Sequence, residues 1–188
     1  MPFSIDEFSS NLNLGGVAKP SNFQVMVTKP TGSDVGLSNF ITYRSDSITF
    51  PTRQIVSENI FTYGIPYPVA LRSLPGGDLF MSIILSEDYT EKEFIETWID
   101  SITGKYRTQY QNGTMSSTMY DIQFPSSYYG QLEIVNFDTN GNATYGTKVL
   151  NAFPYQMQIT DLDWSSEQIS RMNVLFHFET YFNVKQGY

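Results

Sequence analysis

Arg171-Met172-Asn173-Val174-Leu175-Phe176-His177-Phe178-Glu179-Thr180-Tyr181-Phe182 alternates in the way that decides the fold class. Met172, Val174, Phe176, Phe178 and Phe182 fall on one side, while Arg171, Asn173, His177, Glu179 and Tyr181 fall on the other. A period of two over this length predicts a strand with one buried face, running from Met172 to Val184. Working outward, Tyr155 to Leu162 predicts the strand before it, joined through Trp164-Ser165-Ser166. Gln131 to Phe137 and Ala143 to Leu150 flank Asp138-Thr139-Asn140-Gly141-Asn142, a hairpin whose Asn-Gly pair suits positive φ.

The N-terminal half carries the same signals with two helices added. Ser4-Ile5-Asp6-Glu7 reads as a capping box, with Phe3 and Phe8 placed as a hydrophobic staple, and predicts a short helix over 5–12 that Gly15-Gly16 ends. Asn22 to Thr28 alternates as a half-buried strand, and Phe40 to Arg44 is a second strand candidate. Ser45 to Glu58 has little periodicity and predicts a long loop or protruding hairpin; Ile60 to Tyr63 and Val69 to Arg72 read as edge segments around Pro66 and Pro68. Leu79 to Leu85 predicts a strand buried on both faces. The clearest helix follows, from the capping box Thr90-Glu91-Lys92-Glu93, with Phe94, Ile95, Trp98, Ile99 and Ile102 on one apolar stripe and Phe94, Trp98 and Ile102 as its core residues. Residues 105–129, rich in Ser, Thr, Gln and Tyr, predict a surface insertion.

The 188 residues suit a single domain, with 1–19 as an N-terminal arm. Without a cysteine, the chain has no disulfide, thiolate metal site or thiol nucleophile. The start lacks the pattern of a signal peptide, and no stretch is long and apolar enough for a transmembrane helix, so a soluble protein without membrane anchoring, made in a cytoplasm, is expected. Asn112-Gly113-Thr114 and Asn142-Ala143-Thr144 are then turn chemistry rather than glycosylation sites. A net charge of −8 argues against a surface that grips phosphate. With aromatics at 15% and charged residues at 16%, the composition fits a β protein with large contact surfaces.

No chemistry-bearing constellation emerges. His177 is the only histidine and has no second ligand type to build a metal site with; it reads as a satisfied surface or interface residue. Asp161 and Asp163 could form a carboxylate pair but read better as solvated acids at a strand end. Asp138 to Asn142 departs from a calcium loop in its glycine position and has Val149 where the closing Glu should stand. Gly15-Gly16 and Gly76-Gly77 lack the Gly-Lys-Ser/Thr of a phosphate loop. Catalytic residues, cofactors and metals are therefore expected to be none.

In order and spacing the chain resembles the tail tube proteins of contractile, T-even-like bacteriophages. The resemblance rests on Ala18-Lys19-Pro20-Ser21-Asn22-Phe23-Gln24-Val25, on Phe50-Pro51 with Ile55-Val56, and on Phe94-Ile95-Glu96-Thr97-Trp98. It is strongest in Asn151-Ala152-Phe153-Pro154 and Ile159-Thr160-Asp161-Leu162-Asp163-Trp164-Ser165, followed by the alternating strand. Residues 105–129 depart from the family pattern by their length. The resemblance implies a mainly β protein with one flanking α-helix, an antiparallel β-sandwich or split barrel that completes a large β-barrel on hexamerisation.

What it further implies is a structural virion protein, assembled in the host cytoplasm, whose hexameric rings stack into the tail tube. Partners would be further copies of itself, the sheath protein, and the baseplate and tail-terminator proteins, with DNA passing through the channel unbound. Phe3, Ile5, Phe8, Phe50, Pro51, Arg53 and Ile55 are the inter-ring candidates, and Glu133 and Glu179 the lumen-facing ones. Alternatives are a baseplate tube initiator, the inner tube of another contractile injection system and, from a different class, a monomeric β-rich binding module with residues 105–129 as its ligand surface.

Overall fold

The computed structural model describes residues 18–30, 41–103, 122–165 and 167–185, together with Ile5, Ser9 and Ser10. Nine strands are formed among them: β1 (Phe23–Thr28), β2 (Ser45–Ile48), β3 (Thr52–Thr62), β4 (Ile65–Gly76), β5 (Leu79–Ile84), β6 (Gly130–Phe137), β7 (Ala143–Ile159), β8 (Arg171–His177) and β9 (Thr180–Lys185). Helix α1 (Thr90–Thr103) and a single turn, α2 (Pro125–Tyr128), complete the regular structure. Every pairing is antiparallel, as the alternating patterns require.

One strand organises the sheets. β7 runs for 17 residues, where the sequence predicts two strands separated near Asn151 and Pro154. Its first half pairs with β6 on one edge and β9 on the other, and its second half pairs with β8. The result is two four-stranded layers, β1-β6-β7-β9 and β7-β8-β5-β2, that share β7. At the passage between them Asn151 takes a φ of 54°, a left-handed conformation that Asn tolerates better than most residues. Its side-chain amide donates to the Glu179 carboxylate, which lies at the matching break between β8 and β9.

The break also corrects the reading of the last strand. Met172, Val174 and Phe176 are fully buried on β8, as the alternation predicts. Past Glu179 the phase slips: Tyr181, opposite the buried Val149, packs on the core, and Phe182, opposite Lys148, is exposed. A second correction falls on Phe40 to Arg44, where residues 41–44 form a helical turn with Ile41 fully buried; Phe40 lies outside the described residues.

The two layers enclose a core of Val25, Val27, Leu79, Met81, Ile83, Leu132, Ile134 and Val149, over which α1 lays Phe94, Ile95 and Trp98. Trp98 is the keystone of that contact. Its ring meets Phe176 at 5.9 Å and Phe94 at 6.3 Å, and its Nε1–H donates to the Tyr128 carbonyl at 2.8 Å. Gly130 lets the ring approach the backbone: a Cβ there would lie 2.4 Å from Trp98 Cζ2 and 2.6 Å from the Thr28 carbonyl oxygen. Ile102, expected in the core, is half-buried, and its carbonyl accepts from the Gln123 N–H. Of the expected surface insertion, residues 105–121 lie outside the described part, whereas its end packs inward through the buried Tyr128.

The start of α1 is tied down by a buried charge. The Glu91 side chain accepts from the Ser86 N–H at 3.0 Å and the Ser86 hydroxyl at 2.7 Å, and it faces Arg44 Nε at 3.3 Å. Burial alone would raise its pKa, but the Ser86 hydrogen bonds and the Arg44 charge hold it below the usual glutamate value. A depressed carboxylate pKa stabilises the fold above the unfolded value of 4.5, and that contribution is lost as pH falls through the lower folded value.

Two stability predictions follow from α1. Trp98→Ala should cost about 3–5 kcal/mol, and Gly130→Ala about 1–3 kcal/mol, in chemical denaturation at neutral pH; an unchanged midpoint in either variant would mean that the ring does not sit where described. Glu91→Gln should lose about 1.5–3 kcal/mol at pH 7. The loss should shrink as the wild type is acidified below pH 4.5, because protonation removes the same charge.

Candidate functional site

Hairpin β3–β4 stands apart from the two layers and pairs with neither. Its turn is Tyr63-Gly64, with φ of 52° and 77°, closed by the pair Thr62 and Ile65. Two successive positive φ values make a two-residue turn whose twist matches that of the strands; Gly suits the second position, whereas Tyr at the first is unusual. From the sequence a protruding hairpin is expected only from Ser45 to Glu58, since Tyr-Gly is a weaker signal than Asn-Gly and the two prolines suggest separate edge segments. The observed hairpin extends from Thr52 to Gly76.

Its surface is apolar out of proportion to its position. The register places Ile65, Ile60, Tyr67, Val69, Val56 and Leu74 on one face, and all but the half-buried Val56 are exposed. Phe61 and Ile55 are exposed on the opposite face, and Tyr63 at the tip is wholly so. A two-stranded sheet is marginal in water by itself, and on this face only Glu58, opposite Val69, and Arg72, opposite Val56, carry charge.

The base of the hairpin is fastened at two points. Arg53 lies 5.4 Å over the Tyr181 ring, beside a shallow cleft where Phe50 and Pro51 face Asn136, Tyr145, Thr147 and Asn183. After β4, Asp78 accepts from the Tyr155 hydroxyl at 2.6 Å and pairs with His177 Nδ1 at 2.8 Å, while the Tyr155 and His177 rings stack at 3.8 Å. The hydrogen bond to Asp78 pushes the Tyr155 phenol up. His177 thus has a structural partner set that joins β7, β8 and the foot of the hairpin. Sequence spacing gave no sign of it, because Asp78, Tyr155 and His177 are brought together by strand order alone.

Of the inter-ring candidates, Phe50, Pro51, Arg53 and Ile55 all lie at the start of the hairpin or just before it, and Ile5 is exposed; Phe3 and Phe8 lie outside the described residues. The two lumen candidates have different partners. Glu133 lies on the outer face of the β1-β6-β7-β9 layer, directly opposite Lys148 and 3.3 Å from its ammonium group. Glu179 sits at the corner with Asn151. Ile60, Tyr63, Ile65 and Tyr67, and the exposed Leu162, Trp164 and Ile169 of the β7–β8 connection, are surface residues absent from the sequence-based candidates.

The remaining acids do structural work. Asp138 accepts from the N–H groups of Asn140 and Asn142, which hold its carboxyl below the usual range and close the β6–β7 hairpin. Asp163 caps its own turn, taking bonds from the Ser165 N–H and hydroxyl, and these likewise lower its pKa. Among the described residues no group of His, Asp and Glu is arranged to hold a metal ion, and no helix is long and apolar enough to cross a membrane.

The sequence profile of the phage tail tube protein family matches residues 18–184. No curated protein sequence matches the chain. Among solved structures, it is similar to a chain in the structure of the sheath/tube terminator of the extracellular contractile injection system PVC in its extended state, with a TM-score of 0.62, 13% identity and coverage of 90% of this chain and 97% of that one. It is similar to a chain in the structure of the tube-terminating cap of the anti-feeding prophage, with a TM-score of 0.63, 12% identity and coverage of 90% and 92%. A chain of the PVC sheath-tube complex covers 98% of this one and is itself covered to 99%, at a TM-score of 0.58 and 13% identity. At these identities the structures show a shared fold, the antiparallel β architecture expected from the sequence, while the profile, spanning nearly the whole chain, shows that the chain belongs to the phage tail tube protein family.

Proposed function

We propose that this chain is the repeating subunit of a tail tube: six copies close a ring, rings stack, and the resulting channel delivers a genome. The observation that carries the reading is the β3–β4 hairpin, which projects an apolar face with no cover in the single subunit. Ring stacking would cover it, with Phe50, Pro51, Arg53 and Ile55 at the contact and the N-terminal arm, through Phe3, Ile5 and Phe8, as a second tie. Lateral pairing would join the sheets of neighbouring copies around the ring and remove their edges by closure.

Charge distribution supports a division of faces. Besides the buried Glu91, the segment from Glu87 to Asp100 holds five carboxylates and one lysine, so the start and outer side of α1 present an acidic surface fit for a basic partner such as the sheath. The outer face of the β1-β6-β7-β9 layer carries one acid and one base, Glu133 and Lys148, joined as a pair. If that face lines the channel, DNA meets a polar wall in local charge balance, with Glu179 at its margin as the candidate for any repulsion. The tube would then pass DNA without gripping it.

Purified protein at high concentration should form hollow tubes of stacked rings under negative-stain electron microscopy. A protein that elutes as a monomer at every concentration would refute the reading, and single rings that never stack would indicate a tube-end role instead. The double variant Ile60→Glu, Tyr67→Glu should keep the wild-type far-UV spectrum and melting temperature within a few degrees, because both side chains are exposed, yet form no tubes. Tubes of normal length from this variant would remove the hairpin face from the stacking contact.

A further inference from the structure

The hairpin has two edges, and they differ in kind. In a two-residue hairpin the residues next to the turn exchange both backbone hydrogen bonds, and opposed pairs then alternate between bonded and non-bonded. Thr62 and Ile65 are the bonded pair, so Phe61 with Pro66, and Asn59 with Pro68, are non-bonded pairs whose backbone nitrogens point away from the hairpin. On β4 the two outward nitrogens nearest the turn belong to proline and carry no hydrogen, and the next one, of Ala70 opposite Ser57, is a donor. On β3 the corresponding nitrogens, those of Asn59 and Phe61, are donors, and among the described residues no strand lies along that edge.

We propose that this asymmetry sets the polarity of assembly: a strand of a second copy of this chain adds along the outer edge of β3, and Pro66 and Pro68 exclude pairing along β4. The inference rests on the tube reading, which supplies the occupant, since in an assembly of identical chains every hairpin lies near another copy. A third strand would turn a marginal two-stranded ribbon into a stable sheet and orient the apolar face of Ile60, Tyr67 and Val69 against the neighbour. Pro66 and Pro68 next to the turn of β4, with Pro75 farther along it and no proline among residues 52–62 of β3, favour addition along β3, the condition for a stacking contact that propagates in one direction.

Hydrogen exchange of the wild-type protein tests this without any variant. In dissociated subunits the Asn59 and Phe61 amides should exchange at nearly unprotected rates, and in tubes they should slow by about a hundredfold or more. Equal exchange in tubes and subunits overturns the proposal while leaving the tube reading intact, whereas absence of tubes sinks both. Protection that appears only when sheath protein is added assigns the edge to another partner and overturns it too. Asn59→Pro provides a second readout: the altered nitrogen is not used inside the hairpin, so the subunit should melt as the wild type does but assemble at least about tenfold less readily. Normal assembly of a folded Asn59→Pro protein refutes the edge assignment, and should the variant fail to fold, the exchange measurement decides.

Discussion

The architecture depends on the corner where β7 leaves one layer and enters the other. A strand of 17 residues cannot serve two stacked layers without bending, and the bend is placed at Asn151, the residue with positive φ. Opposite it, the partner chain pauses between β8 and β9, and the Asn151 amide closes on Glu179 across the gap. Because β7 and β8-β9 turn together, the pairing on either side of the corner keeps its register, with Leu150 facing Thr180 and Phe153 facing His177. A local backbone conformation thereby becomes a global property: the buried sides of the two layers face each other over Trp98, Phe176 and Val149.

The same corner connects the core to the contact surface. β8 pairs with β5 through Phe176 and Leu79, and the residue before Leu79 is Asp78, which holds both Tyr155 of β7 and His177 of β8. The hairpin therefore grows from the most constrained part of the sheet. Its own strands have no core to bury, and their order must come from this base and from the Arg53 contact with Tyr181. Rigid presentation of an apolar ribbon is useful to a polymer, because a contact surface already held in shape loses less conformational freedom when it docks.

Much of this was legible in the sequence, and the misses have definite causes. The period-two runs of β1 and β8, the continuous apolar run of β5 and the apolar stripe of α1 located the core, since burial leaves a mark in the pattern of apolar residues. The continuity of β7 did not, because Asn151 and Pro154 carry the same turn signals whether a strand ends or bends. The phase slip at Glu179 was equally hidden: Tyr181 and Phe182 are both aromatic, so the pattern looked unbroken while the inward residue changed. The length of the hairpin was obscured by Pro66 and Pro68, which read as strand breakers yet sit where a strand edge needs no donor. Which acids pair with which bases depended on register, so the Glu133 contact with Lys148 could not be read from spacing.

Charge placement carries the remaining argument about what a tube subunit must satisfy. The chain needs a large apolar surface to polymerise and a net charge to stay dispersed before it does, and the two demands conflict if they share a face. Here they are segregated. Carboxylates crowd α1 and the turn before it, while the hairpin from Thr52 to Gly76 carries only Arg53, Glu58 and Arg72 as ionisable charges. On the layer opposite, Glu133 and Lys148 cancel within one cross-strand pair. The excess negative charge can thus oppose random association of subunits through their helical sides, yet it adds little repulsion where hairpins meet, because exposed charges more than about 8–10 Å apart are largely screened at physiological salt. Segregation of this kind makes one mode of contact cheaper than the others, which is what an ordered polymer requires of a surface that would otherwise aggregate.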